Sequence, residues 1–210
     1  CIAIPLGMLS GRYQNSFLDK FVTFYNYVSY AIPTFVLSLI MIWFFGYKLG
    51  WFPTTGSVTA GLETGKMGHF WDRIYHIILP AITYALLGTT WIIQYLRNEV
   101  IEAKSLDYVK TAKSKGVPEN KIYSRHIFRN SILPIAAFFG YAITGLLGGS
   151  IFIEKIFSYP GMGGLFINSI VTRDYSVVTA LILLFGFLTL FGSLLSDIIL
   201  SIVDPRIRIK

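Results

Sequence analysis

Four stretches of this chain run for more than 20 residues without one Asp, Glu, Lys or Arg: Phe21–Tyr47, Ile74–Leu96, Asn130–Ile153 and Tyr175–Ser196. A helix needs about 20 such residues to cross the hydrocarbon core of a bilayer. The last stretch extends to Val203 if Asp197 is tolerated near its end. Cys1–Leu9 is apolar but too short to span alone, so it reads as the last turns of a further helix. Composition agrees. Of 210 residues, 54% are hydrophobic and 14% charged, where a soluble domain carries about 25% charged. A chain of this size has too little interior to hide so much apolar surface from water. With 19 Gly, 8 Pro and one Cys, disordered, collagen-like and disulfide-rich classes are excluded as well. The expected fold is an all-α integral membrane protein, one polytopic domain over residues 1–210 with four complete spans plus the end of a fifth.

The net charge of +7 is explained by where the charges lie. Segments Ser10–Lys20, Arg97–Arg129 and Asp204–Lys210 share one face of the membrane and hold 13 of the 18 Lys and Arg. Lys48–Arg73 and Glu154–Asp174, on the other face, hold 5. The positive-inside bias makes the 97–129 loop and the C-terminus cytoplasmic, and basicity then signals orientation rather than nucleic-acid binding. Trp43, Trp51, Trp71, Tyr75, Trp91 and Tyr95 fall near span ends, as interfacial aromatic belts do. A first residue Cys1 admits a lipidated mature N-terminus, but a polytopic chain needs no such anchor. A fragment beginning inside a membrane helix is the preferred alternative.

Pro33, Pro80 and Pro134 fall inside spans, where each removes a backbone donor. They read either as ordinary kinks or as the broken helices of a transport pathway. Gly145-Leu-Leu-Gly148-Gly149 places Gly145 and Gly149 four apart, the spacing that lets another helix approach closely, for simple packing or along a pathway. His76 and Asp197 lie near span ends and are expected to reach an interface rather than relay protons. His69, His76 and His126 lie on different loops or ends, so no metal site is expected. With no mid-span carboxylate or His for ion coupling and no phosphate loop, any uphill movement must draw its energy from elsewhere. The lack of a nucleophile–base pair in the spans argues against an embedded enzyme.

The 97–129 loop reads as structured. Leu106, Val109 and Ala112 recur at spacings of three, Lys113 and Lys115 suit a helix C-terminus, and Gly116 follows as its terminating glycine. Pro118 at a first helical position and Glu119 near the positive dipole end open a second helix, whose apolar stripe runs through Ile122, Ile127 and Phe128 towards Leu133. A stiff helix–glycine–helix element is a docking element. The alternative is a solvated basic loop on anionic lipid headgroups.

Tyr108-Val-Lys-Thr-Ala-Lys-Ser-Lys-Gly116 with Arg125-His-Ile-Phe-Arg-Asn-Ser-Ile-Leu-Pro134 resembles the "EAA" loop of binding-protein-dependent ABC importer permeases, closest to the peptide and nickel branch. The resemblance continues through Gly145–Ser150, Glu154-Lys-Ile-Phe-Ser-Tyr-Pro-Gly-Met-Gly164, Arg173-Asp-Tyr175, Asp204-Pro-Arg-Ile-Arg208 and Ile4-Pro-Leu-Gly7, so it covers essentially the whole chain. Lys110 stands where the general motif has its acid, with Thr111-Ala112 for its two alanines. The gap from Gly116 to Leu133 is also longer than in sugar-type permeases.

The resemblance implies a homologous second permease subunit and two cytoplasmic ATPase subunits. It also implies an extracellular substrate-binding protein docking on loops 48–73 and 154–174. By position, the ATPase-coupling helix is Ala112, Lys113, Ser114, Lys115, Gly116, Val117, Pro118, Glu119, Asn120 and Lys121. The chain itself would need no cofactor, ATP being bound by the partners. The family carries a further N-terminal span and an external segment before the helix that Cys1–Leu9 would finish. The expected function is a plasma-membrane, multi-pass permease subunit importing oligopeptides or dipeptides, embedded in lipid and catalysing nothing itself. A nickel or other small-solute importer, and an ATPase-independent channel, are the alternatives.

Overall fold

The computed structural model describes residues 2–61 and 66–203, so Cys1 and the Asp204–Arg208 motif lie outside the described residues. Every regular element among the described residues is helical. In chain order they are α1 (Ala3–Arg12), α2 (Phe17–Ala31), and α3 (Thr34–Met41), which runs on as a π-helix over Ile42–Lys48. There follow α4 (Lys66–Ala103), α5 (Asp107–Ser114) and α6 (Glu119–Lys121). A π-helical stretch (Ile122–Ile127) joins α6 to α7 (Phe128–Ser131). Next come α8 (Leu133–Gly145), a 3-10 turn (Leu146–Gly148), α9 (Ile151–Ile156), α10 (Met162–Val171) and α11 (Tyr175–Val203).

Three helical segments are apolar and long enough to cross a membrane: Met67–Ala103, Leu133–Ile156 and Tyr175–Val203. The stretch 21–47 is not one helix. Proline has no N–H and drives the residue before it out of the helical region. Accordingly α2 stops at Ala31, and extended Pro33 (φ −60°, ψ 144°) caps α3. Counted as one broken span, the pair gives four spans, matching the expected number. At 38 residues α4 is about 57 Å long, well beyond the 74–96 limits set by its charges. Charged residues end a hydrocarbon-spanning stretch without ending the hydrogen-bond ladder.

The expectations for proline and glycine hold in part. Pro80 does lie inside α4. Pro134 lies within the spanning segment Leu133–Ile156, as expected, but in the first turn of α8, where its missing N–H leaves no ladder bond unmade. Gly145 and Gly149 do not share a helix face, because the winding tightens over Leu146–Gly148 and Gly149 takes φ 73°. A Cβ built on Gly145 or Gly148 meets nothing within 4 Å. The helix contact lies instead at Gly140, whose Cβ would strike the Gly192 carbonyl and the Ser196 amide of α11. There Ser196 Oγ accepts a hydrogen bond from the Gly140 N–H at 3.1 Å.

The chain divides into two compact units. The first holds residues 1–30, 88–144 and 189–210. Its core is Leu96, Val100, Ala103, Val109, Ala112, Ile122, Tyr123, Ile127 and Ile135. Gly7 and Gly11 let α1 lie directly on α4, since a Cβ on Gly11 would fall 2.7 Å from Val100 Cβ and one on Gly7 3.0 Å from the Ile93 carbonyl. The second unit holds residues 31–87 and 145–188, around Met41, Leu79, Ile153 and Phe157. Its 49–61 segment is tied down by polar contacts. Thr59 donates its N–H and its hydroxyl to Asp72 at 2.6 and 2.8 Å, Tyr75 donates to the Trp51 carbonyl, and the Gly56 N–H donates to the Phe157 carbonyl at 2.9 Å. His76, expected to reach the interface, is buried and donates through Nδ1 to the Asp72 carbonyl at 2.9 Å. A neighbour one turn earlier satisfies the ring, so it need not reach water. Asp197 is exposed, as expected for a group at a span end.

Candidate functional site

The corner between α5 and α6 is built by its sequence. Helix α5 ends at Ser114 with Lys115 as cap, and Gly116 follows at φ 71°, the left-handed region that only glycine enters without penalty. The Gly116 N–H donates to the Lys113 carbonyl at 2.9 Å and the Val117 N–H to the Ala112 carbonyl at 3.1 Å. These two bonds are the Schellman pattern, which satisfies carbonyls a helix end would otherwise leave bare. Pro118 then turns the chain in an extended conformation (ψ 139°) and caps α6 rather than occupying its first helical position, with Glu119 first in the helix. The Lys121 and Ile122 N–H groups close on its carbonyl at 2.9 and 3.1 Å. Residues 112–121 are therefore not a single helix. They are the last turn of one helix, a capped corner, and the first turn of the next.

This corner stands on a packed base. Val109, Ala112, Ile122 and Ile127 point into the first unit's core, and Val117 packs against it. Leu106, expected on the same stripe, is exposed because it precedes the first turn of α5. Lys113, Ser114, Lys115, Gly116, Pro118, Glu119, Asn120 and Lys121 face outward. One side of the corner is thus apolar and fixed, and the other is a mostly basic polar rim.

Polar bonds tie the same corner to α1 and α4. Arg12 Nη2 donates to Asn120 Oδ1 at 2.6 Å, and its guanidinium lies 4.7 Å from the Tyr123 ring centre. Lys104 Nζ donates to the Arg12 carbonyl at 2.8 Å. Burial pulls the Lys104 ammonium below the usual lysine range, with Lys113 and Arg97 adding like charge. Burial pushes the Tyr123 phenol up, helped by Glu119. Beneath them Asp19, almost fully buried, takes Arg97 Nε at 2.6 Å and Nη2 at 2.9 Å, the Ser10 hydroxyl at 2.5 Å and the Asn15 N–H at 2.8 Å. Sequence reasoning missed Arg12, Asp19 and Lys104. Their main partners are distant in sequence: Arg12 bonds to Asn120, Asp19 to Arg97 and Lys104 to the Arg12 carbonyl, and no local pattern pairs them.

The structure does not bring the other expected residues to this corner. Pro33, Pro80 and Gly149 belong to the second unit, and Pro134 to the start of α8. Among the described residues no group of three His, Cys, Asp or Glu is placed to hold a metal ion. The second unit has its own polar centre, also missed. Glu154 accepts the Ser150 N–H on Oε1 at 3.0 Å and the Gly164 N–H on Oε2 at 2.6 Å. A Cβ on Gly149 or Gly161 would collide with its carboxylate.

Apolar helical segments of spanning length, a proline-broken span and a stiff polar corner define a polytopic helical membrane protein of the transport class. The chain belongs to the family described as "Binding-protein-dependent transport system inner membrane component", whose model matches residues 3–209. It is similar to the oligopeptide transport system permease protein AppB of Bacillus subtilis (strain 168), 39% identical over 207 residues, covering 99% of this chain and 64% of that protein. A putative peptide permease protein of Brucella suis biovar 1 is 33% identical over 208 residues, covering 99% of this chain and 64% of that protein. The dipeptide transport system permease protein DppB of Lactococcus lactis subsp. cremoris is 32% identical over 204 residues, covering 97% and 63%. The chain thus spans just under two-thirds of the length of these relatives.

Proposed function

We propose that the protein is a membrane-spanning permease subunit of an ATP-driven importer that moves oligopeptides or dipeptides across the plasma membrane. The observation that carries this reading is the Gly116 corner: a rigid two-helix knuckle, basic outside and packed inside. The similar oligopeptide and dipeptide transport permeases supply the cargo class. A corner of this kind transmits force. Because α5, the 119–131 stretch, α1 and residues 88–103 share one core and one polar network, pushing the knuckle displaces them together. Two cytoplasmic ATPases would receive the knuckles of this subunit and of a homologous second permease, and an extracellular binding protein would deliver cargo. ATP is bound and hydrolysed in those partners, so this chain works without a cofactor. The 97–129 segment and the C-terminus face the cytoplasm, as their share of Lys and Arg requires.

Gly116 gives the test. A Cβ there meets nothing within 4 Å, so Gly116→Leu acts through backbone conformation alone, while Gly116→Pro also removes the N–H bonded to the Lys113 carbonyl. Gly116→Leu raises the cost of the turn by about 1–2 kcal/mol, and Gly116→Pro cannot reach a positive φ at all. Asn tolerates this region. In the reconstituted transporter, the Pro and Leu variants should reach the membrane and retain ATP hydrolysis while losing peptide uptake, and Gly116→Asn should keep both. Undiminished uptake by Gly116→Pro would overturn the coupling role of the corner.

A further inference from the structure

An apolar cavity of about 180 Å³ opens beside Glu154 within the second unit, walled by Ile77, Pro80, Ala81, Tyr84, Leu146 and Ile153. Gly149 and Ser150 complete its rim. Here the apolar segment Leu133–Ile156 loses its helical winding, with Gly149 at φ 73°, ψ −174° and Ser150 at φ −131°, ψ 104°. Non-helical backbone at membrane depth survives only where protein buries it or where it lines a watery space. A carboxylate facing lipid is equally costly. The rim is therefore covered by protein or open to water, and not part of the lipid face.

Glu154 is set as a receptor and not only as a cap. A carboxylate offers about four lone-pair sites, and the Ser150 and Gly164 amides take two of them, one on each oxygen. The surrounding glycines fix its plane, since a Cβ on Gly161 would fall 2.6 Å from Oε1. On its other side lies a more open pocket of about 490 Å³, bordered by Glu154, Lys155, Ser158, Tyr159 and Asn168. One carboxylate thus sits between an apolar hole and a wider vestibule of mixed lining, which Pro160 and Leu165 share with the polar residues. A cavity of about 150 Å³ lined by apolar side chains holds a benzene-sized group, so this one fits a single Leu or Phe side chain.

We propose that this cavity is a cargo subsite for the first residue of a peptide. Its apolar side chain fills the hole, its α-ammonium group meets the free lone pairs of Glu154, and the rest of the peptide lies in the vestibule beside Lys155 and Asn168. The proposal rests on the peptide-importer reading above.

Ala81 tests it, being an exposed wall residue that takes no part in the amide bonds of Glu154. The full-length permease carrying Ala81→Cys, with its other cysteines replaced, is labelled in membrane vesicles of the whole transporter with a charged, water-soluble thiol reagent. Labelling should proceed, and Leu-Gly should slow it at least about tenfold, the equivalent of burying one such side chain. N-acetyl-Leu-Gly and Gly-Gly should leave it unchanged. Ala81→Leu, which fills the hole, should lower uptake of Leu-Gly against Gly-Gly by a similar factor. Failure to label, or equal protection by all three peptides, overturns the subsite. Wild-type uptake of the same peptides separates the two ideas. If the wild type imports no peptide, the importer reading falls. If it imports both peptides and Ala81→Leu discriminates as the wild type does, only the subsite falls.

Discussion

At the scale of single residues, Asp19 shows how a charge at the edge of a span becomes structural. Its side chain is 3% exposed and that of Arg97 16%, so water reaches the guanidinium edge but not the carboxylate. The bidentate guanidinium, the Ser10 hydroxyl and the Asn15 amide together replace the lost hydration. Removing one partner of such a pair leaves the other buried and uncompensated, at a cost of about 3–5 kcal/mol. Asp19→Asn should therefore lower the thermal unfolding midpoint of the detergent-solubilised protein, and adding Arg97→Gln should recover part of the loss. A change below about 1 kcal/mol, the value of an exposed pair, would show that water reaches the carboxylate as well. None of this was legible beforehand, because the pair is separated by 78 positions. Gly116 was legible, since its conformation is dictated by neighbours in sequence: a helix with lysines at its end, then glycine, then Val-Pro-Glu.

At the scale of elements, long charge-free runs marked the spans correctly, because burying a charge in hydrocarbon has no local remedy. Breaks and crossings were harder. Proline breaks α2 from α3 at Pro33, lies within α4 at Pro80 and merely begins α8 at Pro134, and only the register of each helix decides between these outcomes. Glycine spacing misled for the same reason. Gly145 and Gly149 have the right separation but no shared helix, whereas Gly140, in an unremarkable Phe-Gly-Tyr context, lies against the backbone of α11. The two kinds of glycine should behave in opposite ways. Gly140→Leu must push α8 off α11 and should cost about 1–3 kcal/mol as an overpacked contact. Gly145→Ala meets no neighbour at ordinary helical angles (φ −61°, ψ −28°) and should be neutral or stabilising by up to about 1 kcal/mol. Unfolding midpoints of the two variants check this, and equal destabilisation would remove the Gly140 crossing from the account.

At the scale of the whole molecule, the described residues leave two surfaces that water alone does not explain. Leu183, Phe187, Leu190 and Leu194 recur at helical spacing along α11, each more than half exposed, which fits lipid or another membrane subunit. The corner rim instead carries Lys110, Lys113, Lys115 and Lys121 with two acids, Glu119 and the Asp107 that pairs with Lys110, a charged face that neither lipid tails nor a permease core would accept. The proposed importer, driven from outside its membrane spans, would need both surfaces, one to stay in the bilayer and one to be pushed. Purified from its native membrane in mild detergent, the full-length protein should bring two ATPase subunits and a second permease. Lys113→Glu with Lys115→Glu should release the ATPases but keep the permease pair, because those two lysines face outward and take no part in the core beneath them. Mass spectrometry of each preparation distinguishes the cases. A wild type that arrives as a lone homo-oligomer, without ATPase in several detergents, would make the corner a lipid or regulatory contact and the protein a gated pore.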